Sequence, residues 1–507
     1  MKISLRYKFF ILLLIAFLPR IVGLSKHSIF ADEVTWMVRG KGVYAAIHSR
    51  IFYYFDNGWW LDKTTSEPIG LPMSFLGGVA MSYLSPGYSN YSLNITKDFI
   101  ATRIPSVFVG SLFVPIFYLL LRKHIDDKLA FITSLLMSLD PISIALSRWF
   151  HQDMALMIFS SLSLLTFIYK KNKITTIVSA FLAAMAILTK PQGFLVPITL
   201  IIFSCVQFLT TKKVNIKKFI FWLILTSIFI VLFFPFLWNE PINGIIQYLA
   251  IQYTNAVNGQ ITFFNGNITT NPLWYYYFAI FPFRIPESIF IGFIIGFILT
   301  LFGFKKGFIK NSFVQIALIY SILFITVISI SSKKLGIRYL FAVWPYIYVL
   351  ATYGLFKLSD KLKWINKKIF WIVVFVFQVW GIVKFYPSYY LFYNHFITPQ
   401  KMQNLESIAF CDSVKPAIEY LEPNLYHGII IMLMGCDSTI NYYTGNTIKS
   451  VYNVNDNPNY IIEENYDAQL NPNRVLQIEN SEYKKIKEIY FRGLIIAKIY
   501  QKPSDIQ

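Results

Sequence analysis

The stretch RIPSVFVGSLFVPIFYLLLRK, residues 103–123, decides the class of fold. No charged side chain interrupts it between Arg103 and Arg122. A helix rises about 1.5 Å per residue, so an apolar run of this kind can cross a hydrocarbon core of roughly 30 Å. Similar runs recur along the 507 residues, 55% of which are hydrophobic and only 14% charged. Soluble domains carry about 25% charged residues. The pattern excludes a soluble globular enzyme and a disordered chain. It also excludes an outer-membrane barrel, whose strands alternate with period two. What remains is a polytopic α-helical membrane protein.

Extending outward from 103–121, about eleven transmembrane helices are expected, near 8–24, 103–121, 129–147, 154–169, 174–189, 192–210, 219–238, 288–304, 312–330, 339–356 and 369–386. The first ends in Pro19-Arg20 without a small-x-small site, unlike a cleaved signal peptide. With the N-terminus in the cytoplasm, alternate connections collect the cations: Lys2, Arg6 and Lys8; Arg122, Lys123 and Lys128; Lys170, Lys171 and Lys173; Lys212, Lys213, Lys217 and Lys218; Lys305, Lys306 and Lys310; Lys357, Lys361, Lys363, Lys367 and Lys368. This is the positive-inside pattern. Much of the net charge of +20 therefore reports topology, and no nucleic-acid partner is expected.

Residues 1–386 are then one membrane domain with two outer loops, 25–102 and 239–287. Within the first loop, 68–84 is too short for a span and suits the interface. Residues 387–507, about 120 residues, are long enough for a small domain on the outer side. Helix-like Lys415–Leu421 alternates there with apolar Gly428–Met434 and Leu494–Tyr500, which reads as a small extracytoplasmic α/β domain. Cys411 and Cys436 fall in this tail; they either pair, closing a loop of about 25 residues, or stay free. Cys205 lies in a span as a packing residue.

Ionisable groups near membrane depth cost about 2.5–3.5 kcal/mol each on insertion scales. Those that topology does not explain gather at the outer helix ends: Asp32-Glu33 in SIFADEVTWM, Arg148, His151 and Asp153 in SRWFHQD, Lys190 in TKPQG, and Lys333, Lys334 and Arg338 in SSKKLGIRY. Each also has an ordinary explanation: an interfacial pair, a helix cap at Asp153, a snorkelling Lys190, loop charges at Lys333 and Lys334, interfacial packing for His151. Their common side favours one shared cavity. A carboxylate there can take a proton from an attacking hydroxyl, and cations can bind a phosphate and stabilise it as it leaves.

In this order the motifs resemble the GT-C glycosyltransferases, most closely glycosyltransferase family 39, which includes protein O-mannosyltransferases and the lipid A aminoarabinose transferases. The resemblance rests on Arg20, ADE at 31–33, EPIGL at 67–71, 103–123, DPISIALSRWFHQDMAL at 140–156, TKP at 189–191, RYLFAVWPYIYVLATYGL at 338–355 and YPSYYLFYN at 386–394. It implies a multi-pass cell-membrane enzyme. The donor would be a polyprenyl-phosphate sugar of the dolichyl-phosphate-mannose kind, the acceptor a hydroxyl of a protein, lipid or glycan, and transfer one inverting step at the outer face. Asp32 would be the general base, with Glu33 and Asp153 in the same catalytic site. Arg103, Lys190, Lys333, Lys334 and Arg338 would hold the donor phosphate. No cofactor is required, and a divalent metal near Asp32, Glu33 and Asp153 is not expected.

The chain departs from the family pattern at Glu67-Pro68, where His-Pro-Pro is usual, and at Asp140, which before Pro141 marks a helix break near the outer interface. The tail lacks a β-trefoil signature, and GWW at 58–60 does not extend to WWDYG. The main alternative is a transporter or flippase for a lipid-linked glycan. Transporters place charges near the midplane and often show repeat symmetry; this chain does neither. A lipid-pyrophosphate ligase or polymerase would carry its essential Arg and His in a late outer loop.

Overall fold

The structure is a computed structural model that describes residues 4–48, 69–85, 95–169, 172–211, 215–234, 237–238, 241–303, 311–425, 428–444 and 448–503. Lys2, Lys170, Lys171, Lys212, Lys213, Lys305, Lys306, Lys310, Glu67-Pro68 and the GWW string lie outside these residues.

Among the described residues, seven helices are long and apolar enough to cross a membrane. The number is eight if Asp127–Ser138 and Pro141–Arg148 count as one span, bent by 61°. Leu71–Leu84, Lys173–Thr189 and Glu287–Phe302 are shorter apolar helices. The run 129–147 is thus broken, and Asp140 explains where. Its carboxylate accepts from Ser143 N at 2.7 Å, capping the second piece, and from Trp344 Nε1 at 2.9 Å. Pro141 follows at the first helical position, where a missing N–H costs nothing.

Local chemistry fixes the helix starts at the lysine-rich end. Ser4, Asp126, Asn172, Asn215, Asn311 and Asn366 each cap the helix that follows, accepting from a backbone N–H of its first turn. The helices differ in how they meet their surroundings. Gln152–Tyr169 is 83% buried and the span Ile337–Lys361 78%, with mean hydropathies of 1.3 and 1.4. Ile216–Phe233 is 11% buried, with mean hydropathy 2.2. The two least apolar spans are therefore the central ones, and each begins beside polar residues at the end opposite the capped starts. Glu287–Gly303 clamps the second of them: Gly292 and Gly296 meet Gly354 so closely that a Cβ on Gly354 would fall 2.0 Å from Gly292 O. Small residues four apart allow this backbone approach.

The tail carries a five-stranded mixed sheet. β1 (Thr262–Phe264) and β2 (Asn267–Thr269) form a separate hairpin earlier in the chain. β3 (Ile430–Met434), β4 (Lys449–Val451), β5 (Tyr460–Glu464), β6 (Lys484–Phe491) and β7 (Leu494–Gln501) are ordered β4-β3-β5-β7-β6. β3 runs parallel to β4 and β5; β7 runs antiparallel to β5 and β6. Helix Val414–Leu421 packs Val414, Ala417, Ile418 and Leu421 with Ile431, Leu433, Ile462 and Ile499 of the sheet. Cys411 and Cys436 form a disulfide across this layer. Ser28 Oγ donates to Asp412 O at 3.0 Å, Lys415 Nζ to Ser25 O at 2.9 Å, and Ile29 N to Tyr443 Oη at 2.6 Å. These bonds dock the sheet unit onto residues 25–30, next to Asp32.

Candidate active site

Four distant stretches meet at the polar ends of the central helices. Asp32 lies in the first turn of helix Ala31–His48, and Asp153 in the first turn of Gln152–Tyr169. Lys190 is the extended residue between Lys173–Thr189 and the 3-10 turn Pro191–Phe194. Arg338 belongs to the 3-10 segment Ile337–Val343 that leads into Trp344–Lys361.

Their side chains form one charged chain. Arg338 Nη1 donates to Asp32 Oδ2 at 3.0 Å and lies 3.3 Å from His151 Nε2. The two ring nitrogens of His151 face two carboxylates: Nε2 is 3.3 Å from Asp32 Oδ2, and Nδ1 is 2.8 Å from Asp153 Oδ2. Lys190 Nζ donates to Asp153 Oδ1 at 2.5 Å. Arg338, Asp153 and His151 are buried, whereas the Asp32 side chain is 45% exposed. Asp32 is therefore the carboxylate that an incoming group can reach. Partial desolvation raises its pKa, but the hydrogen bond from His151 and the charge of Arg338 outweigh this and hold it well below the usual carboxylate range.

Aromatic rings enclose the cations. The Arg338 guanidinium lies 5.1 Å from the Phe30 ring centre and 5.3 Å from that of Phe410, and Lys190 Nζ lies 4.8 Å from the Tyr339 ring. Phe410 comes from the tail, beside the disulfide, and is backed by Tyr466 with ring centres 4.0 Å apart. The tail thus forms part of the site wall.

A polar cavity adjoins the cluster through Lys190, and an apolar one opens one residue beyond Tyr339. The polar cavity, of about 220 Å³, is lined by Lys190, Lys333, Tyr339, Gln192, Gln252 and Asn255 over an apolar floor that includes Leu195 and Ile328. The apolar one, of about 180 Å³, runs between helices 287–303, 312–330 and 344–361, from Phe297 and Tyr353 to Tyr277 and Leu340. Tyr339 lines the first and Leu340, the next residue, the second.

Two expected phosphate ligands have other work. Arg103 is buried and directs every N–H inward: Nε and Nη2 to Glu33 at 2.9 and 2.6 Å, Nη1 to the carbonyls of Leu24 and His27, Nη2 also to that of Ser28. It folds residues 24–33 around Glu33 and has no donor left for a phosphate. Lys334 likewise gives its ammonium to Pro272 O at 2.8 Å and Ser331 O at 2.6 Å, while Lys333 lines the polar cavity. Glu33 is fully buried; besides Arg103 it accepts from Phe150 N at 2.9 Å, which ties the Asp32 helix to the turn that leads through His151 into the helix of Asp153. His151, read from sequence as a packing residue, instead stands between the two carboxylates. Asp32 and Asp153 face opposite ring nitrogens, and among the described residues no three His, Cys, Asp or Glu side chains are grouped to hold a metal ion.

The Arg103 result gives a first prediction. Breaking a buried pair from one side costs about 3–5 kcal/mol. Arg103→Ala is expected to lower the melting temperature or the yield of folded protein in detergent. The Arg103→Met/Glu33→Gln double variant should recover part of that loss. Normal stability with selectively weakened phosphate-lipid binding in Arg103→Ala would return Arg103 to the ligand set.

Residues 91–238 match the model of the family described as dolichyl-phosphate-mannose-protein mannosyltransferase. No curated protein matches the sequence. Among solved structures, the chain is similar to ArnT from Cupriavidus metallidurans bound to undecaprenyl phosphate, with TM-score 0.53, 12% identity, and 98% of this chain and 97% of that chain covered. It is also similar to the oligosaccharyltransferase AglB from Archaeoglobus fulgidus in complex with an inhibitory peptide and a dolichol-phosphate. There the TM-score is 0.54, the identity 12%, and the coverage 99% of this chain and 75% of that one. Over nearly its whole length, then, the chain shares the fold of these two solved structures, and its segment 91–238 matches the model of the dolichyl-phosphate-mannose-protein mannosyltransferase family.

Proposed function

We propose that this integral membrane protein transfers a monosaccharide from a polyprenyl-phosphate donor to an acceptor hydroxyl on the extracytoplasmic face. In this reading the membrane domain 1–386 crosses the bilayer about eleven times, and 387–507 is an extracytoplasmic domain that closes over the site. The observation that carries the proposal is the half-exposed Asp32 joined to buried Arg338, His151, Asp153 and Lys190, with a polar cavity at Lys190 and an apolar one close by at Leu340. The structures of ArnT with undecaprenyl phosphate and of AglB with dolichol-phosphate and a peptide support this class of donor.

The proposed chemistry is a single displacement. The acceptor oxygen attacks the anomeric carbon from the face opposite the phosphate, and its proton passes to the Asp32 carboxylate. The bond from anomeric carbon to phosphate oxygen breaks, and its electron pair leaves with the lipid phosphate. Arg338, Lys190 and Lys333 stabilise the growing charge. The acceptor is a protein, lipid or glycan hydroxyl, the lipid tail lies in the apolar groove, and the step as written requires no cofactor.

The test is a panel of polyprenyl-phosphate sugars incubated with purified protein, following release of the lipid phosphate. Release from at least one donor, dependent on Asp32, is expected. A panel that yields none, while the protein moves a lipid-linked glycan across vesicle membranes, would replace transfer with transport.

A further inference from the structure

The polar cavity has a charge character that restricts the sugar. Two lysines, Lys190 and Lys333, line it. Its other polar lining residues are neutral, Gln192, Gln252, Asn255, Ser331 and Tyr339, and no Asp or Glu lines it among the described residues. Asp153 pairs with Lys190 at 2.5 Å and does not itself line the cavity. The cavity is therefore a poor place for a cation.

The amides supply the second observation. Gln192 Oε1 and Gln252 Nε2 are sheltered from solvent and have no hydrogen-bond partner among the described residues. A sheltered polar group without a partner is costly, and a ligand that bonds it recovers that cost. One end accepts and the other donates, which matches hydroxyl groups. Gln192 comes from the 3-10 turn after Lys190, and Gln252 from helix Pro241–Asn258 in the second outer loop, a segment to which the charge cluster gives no task. Asn255, three residues on, also lines the cavity.

We propose that this cavity is the sugar subsite and that it selects an uncharged, hydroxylated sugar over an amino sugar, with Gln192 and Gln252 reading the hydroxyls. The inference rests on the glycosyl-transfer reading above and names the substrate class within it.

The experiment compares two donors at neutral pH with the full-length purified protein: a polyprenyl-phosphate neutral hexose and a polyprenyl-phosphate amino sugar in its ammonium form. Lipid phosphate release is measured for each. The neutral donor is expected to have a kcat/KM about 100-fold higher, within the range by which polar pockets discriminate. Gln252→Glu, which adds a carboxylate to the cavity, should narrow that ratio about tenfold or more. Gln192→Leu/Gln252→Leu should raise the KM of the neutral donor while leaving the affinity for sugar-free polyprenyl phosphate unchanged, an effect that misfolding does not produce. Equal or better use of the amino sugar, or equal loss of both affinities in the double variant, would overturn the subsite while leaving transfer intact. Release from neither donor would overturn transfer and the subsite together.

Discussion

Asp32→Asn is expected to lower kcat by about 10²–10⁴, the range that general-base assistance supplies, with the donor KM and the melting temperature close to those of the parent. The substitution suits the question because the side chain is half-exposed and its Oδ2 accepts from Arg338. An amide oxygen can still accept that bond, so the local geometry survives while the basicity is lost. Asp32→Glu should retain partial turnover. The pH profile adds an independent reading. With its pKa depressed by His151 and Arg338, Asp32 stays ionised as pH falls through the ordinary aspartate value of 3.8. A carboxylate acts as base only when ionised, so the acid limb due to Asp32 should lie below that value. Full turnover in Asp32→Asn would remove the base assignment; an Asp32-dependent acid limb above about pH 5 would show that the depression does not hold in the working enzyme.

The expected site residues that the structure brings into one cluster share one property. Asp32, Asp153, Lys190 and Arg338 are ionisable groups at helix ends on the side where lysines are otherwise scarce, so a penalty for placing them there was legible without coordinates. What was not legible is pairing across the chain. Arg103 looks like Lys190 in sequence, since each is a cation beside an apolar run. Only folding brings Glu33 to Arg103 and Asp153 to Lys190, making one pair a buried clamp and leaving the other against a cavity. The choice between Lys333 and Lys334 depends on the loop around Pro272 and Ser331, whose carbonyls take Lys334. His151 was hidden for another reason: a histidine among Trp149, Phe150 and Phe30 has the same sequence signature whether it packs or bridges. Its position two residues before Asp153 was the available hint. Gln192 and Gln252 carry no charge and gave no signal at all.

The tail divides in the same way. Its apolar stretches near 428–434 and 494–500 coincide with β3 and β7. The order of the sheet does not follow from them, because the parallel pairing of β3 with β4 and β5 is set by crossovers that leave no periodic mark. The helix break at Asp140-Pro141 was readable, but the capping of Ser143 and the bond to Trp344 that make the bend specific were not.

The second large effect concerns the Lys190–Asp153 pair, where structural and chemical roles must be separated. Both side chains are buried and their atoms are 2.5 Å apart. Removing one partner strands the other, at a cost of about 3–5 kcal/mol. Lys190→Met and Asp153→Asn should therefore each lower thermal stability in detergent. Lost activity in either single variant would then say little about catalysis. The double variant Lys190→Met/Asp153→Asn has no stranded charge and should recover most of the stability. If Lys190 only braces Asp153, activity should return with the fold. If Lys190 also meets the donor phosphate from the cavity wall, the recovered protein should remain about 10²–10³-fold below the parent in kcat/KM, the scale for one lost charge-stabilising donor. The cavity lining favours the second outcome, because Lys190, besides pairing with Asp153, lines the polar cavity together with Gln192 and Lys333. A double variant that is both stable and active would confine Lys190 to the fold and leave Arg338 and Lys333 as the cations that stabilise the departing phosphate.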